Sequence, residues 1–320
     1  MRELDVVVSG LVFQDLVLGL PTAPRPGTEV WATDSHESPG GIANFAVALA
    51  RLGLRTGMAA VFGADDLGDR VWDRLVSGEG IDLTLSRKLA GWQTPLTVAL
   101  AYAGDRALVT RGTPPPLSAD ELITTPPVAR AVAAHIGPWP NEWLAKAKAA
   151  GSVVFADVGW DPTERWDPAV LDQLEHCDVF LPNAEEAMSY TRTTSPSDAL
   201  EVLATKVPVV VVSDGARGAE AIDARTGERI AVPAYPVQAA DTTGAGDVFA
   251  AGFIAATLWD LPLEQRLRFA ALTAALSVTR LGGADAAPRW ADLAAWQAAS
   301  PARHPEDHHL HALISAHSGR

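Results

Sequence analysis

Apolar positions along this chain fall into two rhythms. Short blocks rich in valine, isoleucine and alanine occupy residues 4–8, 135–137, 152–156, 179–181 and 207–212, and each reads as a buried strand. Longer segments with helical spacing occupy residues 46–52, 141–150, 168–175, 248–258 and 263–279, the first stopped by Gly53. From residue 134 onward strand and helix alternate, which predicts parallel strands with helices on both faces, an α/β class. One region departs from that rhythm. Pro21, Pro24, Pro26 and Gly27 break up the passage after the first strand, and residues 28–33 alternate like a half-exposed strand. Residues 96–101 and 106–109, joined by Gly104-Asp105, read as a hairpin. Residues 229–232 and 233–237 read as extended. Neither an internal repeat nor a low-complexity linker interrupts the chain.

A chain of 320 residues with 48% apolar and 20% charged side chains holds one large α/β domain with an appendage, or two smaller domains. The formal net charge of -14 speaks against nucleic acid and anionic membrane surfaces as partners. It leaves ATP open, since main-chain amides and a cation can build a phosphate site. Cys177 is the sole cysteine, which excludes an internal disulfide and fits a buried apolar role in a reducing cytoplasm. Met1-Arg2-Glu3-Leu4-Asp5 lacks the basic flank and apolar run of a signal peptide, and no apolar run is long enough to span a bilayer. The expectation is a soluble, intracellular, cytoplasmic protein.

The chemistry concentrates in Asp241-Thr242-Thr243-Gly244-Ala245-Gly246-Asp247, followed by the apolar helix from about residue 246. A loop of small residues opening a helix leaves free N–H groups at the positive end of the dipole, where an anion is favoured. Asp247 would repel a phosphate unless it takes the proton of a hydroxyl attacking that phosphate. The competing reading is an acid that satisfies helix N-terminal amides.

Residues 241–253 resemble the C-terminal signature of the ribokinase-like (PfkB-type) sugar kinases. Pro39-Gly40-Gly41-Ile42-Ala43-Asn44 resembles the second signature of that family, with one residue fewer between the glycine pair and Asn44 than in ribokinase. The resemblance covers about residues 4–290. It implies a three-layer α/β/α core with a mainly parallel sheet and a small β-sheet lid, the lid built from about 11–40 and 91–112. Residues 1–300 would then be one kinase domain and 301–320 a C-terminal tail. The implied reaction moves the γ-phosphoryl group of ATP to a primary alcohol of a small sugar. Asp247 is the base, and Gly244, Ala245 and Gly246 supply the amides.

By the same resemblance Asp15, Gly40, Gly41 and Asn44 bind the acceptor. Asn183 and Glu186 lie near Mg2+, Glu186 acting through water, although both also fit a helix start. Ser213, Gly215, Arg217 and Gly218 surround the nucleotide, and alone they read as a hairpin turn. A K+ ion would sit among Asp241, Thr243 and the carbonyls of Ser277, Arg280 and Gly282, where Ala286 replaces a serine of ribokinase. Gly63-Ala64-Asp65-Asp66-Leu67-Gly68 reads as a structural turn with a helix cap. Asp157 sits at the end of its strand and Asp161 just beyond; either could approach the substrate, and neither is assigned a role. Phe13 replaces an asparagine that ribokinase uses on ribose, so an adenosine-like nucleoside acceptor stays open beside a sugar. A sensor without catalysis is the third reading, disfavoured because it needs no base at 247. The sequence holds no Gly-x4-Gly-Lys-[Ser/Thr] P-loop and no Gly-x-Gly-x-x-Gly after a strand. Lid edge strands could pair two subunits into a dimer. Five histidines near the C-terminus, at 304, 308, 309, 311 and 317, are expected in a solvated tail.

Overall fold

Alternate side chains of the central strands bury against opposite helical layers, and that alternation sets the architecture. The structure, a computed structural model, describes residues 3–102, 105–299 and 307–317. Strands β1 (Leu4–Ser9), β2 (Val12–Gly19), β3 (Asp34–Gly41), β4 (Thr56–Ala59), β5 (Val61–Gly63) and β6 (Arg87–Leu89) come first. They are followed by β7 (Leu96–Tyr102), β8 (Asp105–Arg111), β9 (Ala129–Ile136), β10 (Val153–Val158), β11 (Val179–Phe180), β12 (Val209–Ser213), β13 (Ala219–Asp223) and β14 (Glu228–Val232). The main sheet runs β14-β13-β12-β11-β10-β9-β1-β4, parallel except where β13 and β14 turn back. A second sheet, β3-β2-β7-β8, stands apart, and β5 pairs with β6.

The helices are α1 (Ile42–Arg51), α2 (Asp66–Asp73), α3 (Ala119–Leu122), α4 (Glu142–Ala149), α5 (Ala184–Thr191), α6 (Pro196–Ala204), α7 (Ala245–Leu258), α8 (Leu263–Ser277), α9 (Gly283–Ala286), α10 (Trp290–Ala299) and α11 (His308–His317). Val6, Val8, Phe155 and Val211 pack toward α1, α7 and α8. Val7, Val154, Phe180 and Val212 pack toward α4, α5 and α6 on the other face. Strands covered on both faces have no polar side to show, hence their apolar blocks. The three-layer α/β expectation is met.

Several boundaries move. Residues 28–33 form no strand; the strand pairing with β2 is β3, six residues later, with Phe13 opposite Gly40 and Asp15 opposite Ser38. The 233–237 stretch pairs with no strand. Helix α1 begins at Ile42 rather than near 46, because Gly41 takes φ 62° and turns the chain directly from β3 into the helix. Asn44 therefore sits inside the first turn. Asp65 is the cap foreseen: its Oδ1 accepts the Gly68 N–H at 2.7 Å, and Oδ2 accepts the Thr94 N–H at 2.8 Å.

The solvated tail is a correction. Over residues 308–317, Leu310 and Ile314 recur at helical spacing and are buried in the core shared with α8 and α10. His317 stacks on Trp290 with ring centroids 4.3 Å apart, and Tyr235 Oη donates to Asp307 at 3.0 Å. His304 and Gly104 lie outside the described residues. No helix among the described residues is long and apolar enough to cross a membrane.

Candidate active site

The end of β9, the first turn of α1 and the start of α7 converge on Asp247, and the carboxyl ends of parallel strands are where open α/β sheets bind ligands. Helix α7 starts as expected. Gly244 caps it with φ 70°, a left-handed conformation that suits glycine. A Cβ on Gly246 would meet nothing within 4 Å, so its backbone faces open space. Ala245 behaves differently from the expected cradle: its N–H already reaches the Thr242 carbonyl at 3.3 Å, closing the turn. The amides left to meet an anion are those of Gly244 and Gly246, together with that of Asp247 at the helix start.

Asp247 turns its carboxylate toward the strand ends. Asn44 Nδ2 donates to its Oδ2 at 2.7 Å, and His135 Nε2 lies 3.4 Å from Oδ1. Asn44 thus spends one arm on Asp247, while its buried Oδ1 has no partner and remains available to a hydroxyl. Asp15, within β2 and paired with Ser38 and Thr97 on its two neighbours, is 5% exposed. Burial, then the negative charges of Asp247 and Asp241, push its carboxyl up to about 7, against a hydrogen bond from Thr97. Gly40 explains how Asp15 fits. A Cβ at residue 40 would lie 2.0 Å from Asp15 Oδ2, so the bare backbone makes room for the carboxylate itself.

Two further acids stand near Asp247. Asp157 is raised well above the usual carboxylate range by burial, then by Glu186 and Asp247, and its Oδ1 accepts the Val158 N–H at 2.8 Å. Burial also raises Glu186, against its hydrogen bonds with Asn183. Asn183 and Glu186 form a reciprocal cap on α5: Asn183 Oδ1 accepts the Glu186 N–H at 2.9 Å, and Glu186 Oε2 accepts the Asn183 N–H at 3.0 Å. The helix-start reading of the pair is the one these hydrogen bonds bear out, and the cap also fixes the Glu186 carboxylate in place. Asp161 is elsewhere, folding the 161–166 turn through Thr163 and Trp166.

The 213–218 loop expected to surround a nucleotide lies at the neighbouring strand end, where Ser213 bridges to Asn183. Gly215 and Gly218 take φ 52° and 104°, and a Cβ on Gly218 would strike the Val232 carbonyl. Arg217 is not a spare cation: it holds Asp214 through two hydrogen bonds. At the expected monovalent site Asp241 Oδ1 accepts the Thr243 N–H at 2.9 Å and Oδ2 the Gly282 N–H at 3.0 Å. The Gly282 carbonyl is committed to the amides of Asp285 and Ala286.

Residues 4–290 match the family described as pfkB family carbohydrate kinase. The chain belongs to the pfkB family. Its similarity to the Haemophilus influenzae ribokinase is 27% identity over 303 residues, covering 90% of this chain and 96% of that one. The ATP-dependent ribose-1-phosphate kinase of Halopiger xanaduensis is 30% identical over 286 residues, covering 88% and 94%. Among solved structures, the Arabidopsis thaliana ribokinase complexed with ribose and ATP superposes with a TM-score of 0.73 at 26% identity, covering 90% and 96%. The Sinorhizobium meliloti adenosine kinase shares the fold, with a TM-score of 0.74 at 20% identity. As a pfkB family member the chain is a phosphotransferase that takes an alcohol acceptor.

Sequence reasoning passed over His135 and Arg106 and noted Asp157 without assigning it a role. His135 and Asp157 stand opposite each other in register on β9 and β10, and their ligand atoms and those of Asp247 lie within 4.8 Å of one another. The usable signal was a histidine and an acid near the ends of two successive parallel strands. Arg106, on β8, reaches across to the Thr242 hydroxyl, 136 positions away, and nothing local in sequence announces that contact.

Proposed function

We propose that this kinase transfers the γ-phosphoryl group of ATP to a primary hydroxyl of a small sugar, with Asp247 as general base. The observation that carries the reading is the Asp247 carboxylate, held by Asn44 beside Asp15 and next to the open backbone of Gly246. In this reading Asp15 and the free Asn44 Oδ1 fix the acceptor, and the backbone of Gly40 and Gly41 shapes the floor. Asp247 accepts the hydroxyl proton as the acceptor oxygen bonds to the γ-phosphorus. The bond from that phosphorus to the β-phosphate oxygen breaks, and ADP leaves. Charge on the transferring oxygens meets the Gly244 and Gly246 amides and the positive end of α7. The Ala245 amide, bonded within the turn, contributes through shape.

The crowding of Asp15, Asp157, Glu186 and Asp247 fits a site that takes its nucleotide with Mg2+. Glu186 would hold the ion through water, and the ion supplies charge neutralisation on the phosphates. Asn183, Ser213, Gly215 and Gly218 would border the nucleotide, with Arg217 shaping the loop through Asp214. The buried Thr243 hydroxyl has no hydrogen-bond partner, which suits a K+ site with Asp241 and the carbonyls of Ser277 and Arg280; the committed Gly282 carbonyl weakens that site. Equal rates in sodium and potassium would remove it.

Residues 1–300 act in this proposal as one catalytic unit, with 11–40 and 91–112 as the lid. Exposed Leu108 and Val109 on the edge strand β8 favour a dimer through that sheet, testable by sedimentation. A panel of sugars, phosphorylated sugars and nucleosides with coupled ADP detection tests the acceptor class. Turnover confined to nucleosides would replace the sugar reading; Phe13, whose ring lies where a Gly41 side chain would go, offers an apolar surface for a base. No turnover with any member of the panel would reject both.

A further inference from the structure

The Asp247 carboxylate is addressed from two sides by two different elements. Oδ2 takes the Asn44 amide from α1. Oδ1 faces His135 Nε2 from the end of β9 at 3.4 Å. That nitrogen is buried and has no other hydrogen-bond partner. The imidazole is not free to turn away: Phe45 meets it edge-on with centroids 5.2 Å apart and planes at 80°. Gly10, just past β1, also packs close to the ring: a Cβ there would lie 3.3 Å from His135 Nδ1. A ring packed in this way, with a buried and otherwise unpartnered nitrogen aimed at a carboxylate, has a geometric task.

We infer that His135 is a positioning residue for the base: its Nε2–H holds Asp247 Oδ1 while Asn44 holds Oδ2, fixing the plane of the carboxylate against the acceptor hydroxyl. The inference rests on Asp247 acting as the base. An aspartate whose carboxyl group has one donor turns broadly about its terminal bond, because that torsion has no sharp staggered wells. A second donor on the other oxygen removes that freedom. The 3.4 Å separation is longer than a formed hydrogen bond, and catalytic contacts of this sort tighten once substrate is bound. The proton balance leaves His135 unchanged in the step. The acceptor proton goes to Asp247, the new bond forms between acceptor oxygen and phosphorus, and the bond to ADP breaks. His135 gains and loses nothing. Its contribution is alignment, and misalignment by about 1 Å costs on the order of 100-fold in rate.

The test is a double-mutant cycle with kinetics in both backgrounds. His135→Leu should lower kcat about 10- to 100-fold while leaving KM for ATP within about twofold. His135→Gln places an N–H donor at similar reach and should recover most of that loss. In the Asp247→Asn background His135→Leu should cost almost nothing further, because the group it orients is gone. Wild-type kcat in His135→Leu overturns the inference, as does an equal loss in both backgrounds, or a Gln variant no better than Leu. If His135→Leu does not fold, His135→Asn, one bond too short to reach, takes its place with the same expected loss. Wild-type turnover in Asp247→Asn alone is a separate result that rejects the base and leaves the His135 geometry without a role.

Discussion

Replacing Gly40 with alanine should damage acceptor use more than its size suggests. The added methyl would lie 2.0 Å from Asp15 Oδ2, 2.2 Å from Cγ and 2.4 Å from Oδ1, so the whole carboxylate is overlapped. Ordinary contact between such atoms is about 3.5 Å, so Asp15 must retreat by more than about 1 Å. The strands cannot slide to relieve it, because β2 and β3 are paired from Val12 opposite Gly41 through Gly19 opposite Asp34. Overpacking of this kind costs about 1–3 kcal/mol of stability. A hydrogen bond to a charged group is worth about 1.5–3 kcal/mol, so losing the Asp15 contact should lower kcat/KM for the acceptor about 10- to 150-fold. KM for ATP should not move. The assay is coupled ADP detection at pH 8, where Asp15, raised to about 7, is ionised. Asp15→Asn should fall in the same direction, and the double variant should be little worse than either single one. A folded Gly40→Ala enzyme whose acceptor kcat/KM stays within about twofold of wild type would refute the reasoning.

Asp247→Asn, nearly isosteric and still able to accept from Asn44, should lower kcat by about 10²–10⁴ in the same assay while nucleotide affinity survives. Acid should stabilise the ligand-free protein across the neutral range. Asp15 is raised to about 7 from 3.8 in an unfolded chain, and Asp157 and Glu186 are raised too. Between about pH 4 and 7 the folded state holds protons that the unfolded state has released, so stability is full at the acid end and lost as pH rises to about 7. Melting temperature should therefore be higher at pH 5.5 than at pH 8, and a flat or rising trend in calorimetry would contradict the buried-acid arrangement. Leu310→Ala, emptying a 1% exposed position on α11, should cost about 2–5 kcal/mol in urea unfolding if that helix is part of the core.

The α/β/α layering was legible because Val6, Val8, Val209 and Val211 face one helical layer while Val7, Val210 and Val212 face the other, leaving no polar position to blur the strands. The α7 loop was legible for a local reason: glycines beside an acid at a helix start have few uses. What escaped reading depends on contacts between distant segments. The pairing of His135 with Asp157 follows from the β9–β10 register, and the fit of Asp15 against Gly40 from the β2–β3 register. Neither register is written in one strand alone. In α11, the histidines at 308, 309 and 311 hid the apolar spacing of Leu310 and Ile314. The early start of α1 went unseen because Gly41 was read as a ligand contact, whereas its left-handed φ makes it the pivot from strand to helix.

In the proposed reaction four carboxyl groups converge near the landing place of a polyanion, and that gathering would act as a filter on the form of the nucleotide. A triphosphate arriving without its counterion would bring like charge to like charge in a partly dehydrated cavity. The same molecule chelated to a divalent metal arrives with that repulsion already cancelled. Unchelated nucleotide should accordingly be a feeble competitor, and the enzyme would sense the metal level of its surroundings through the very acids that serve its chemistry.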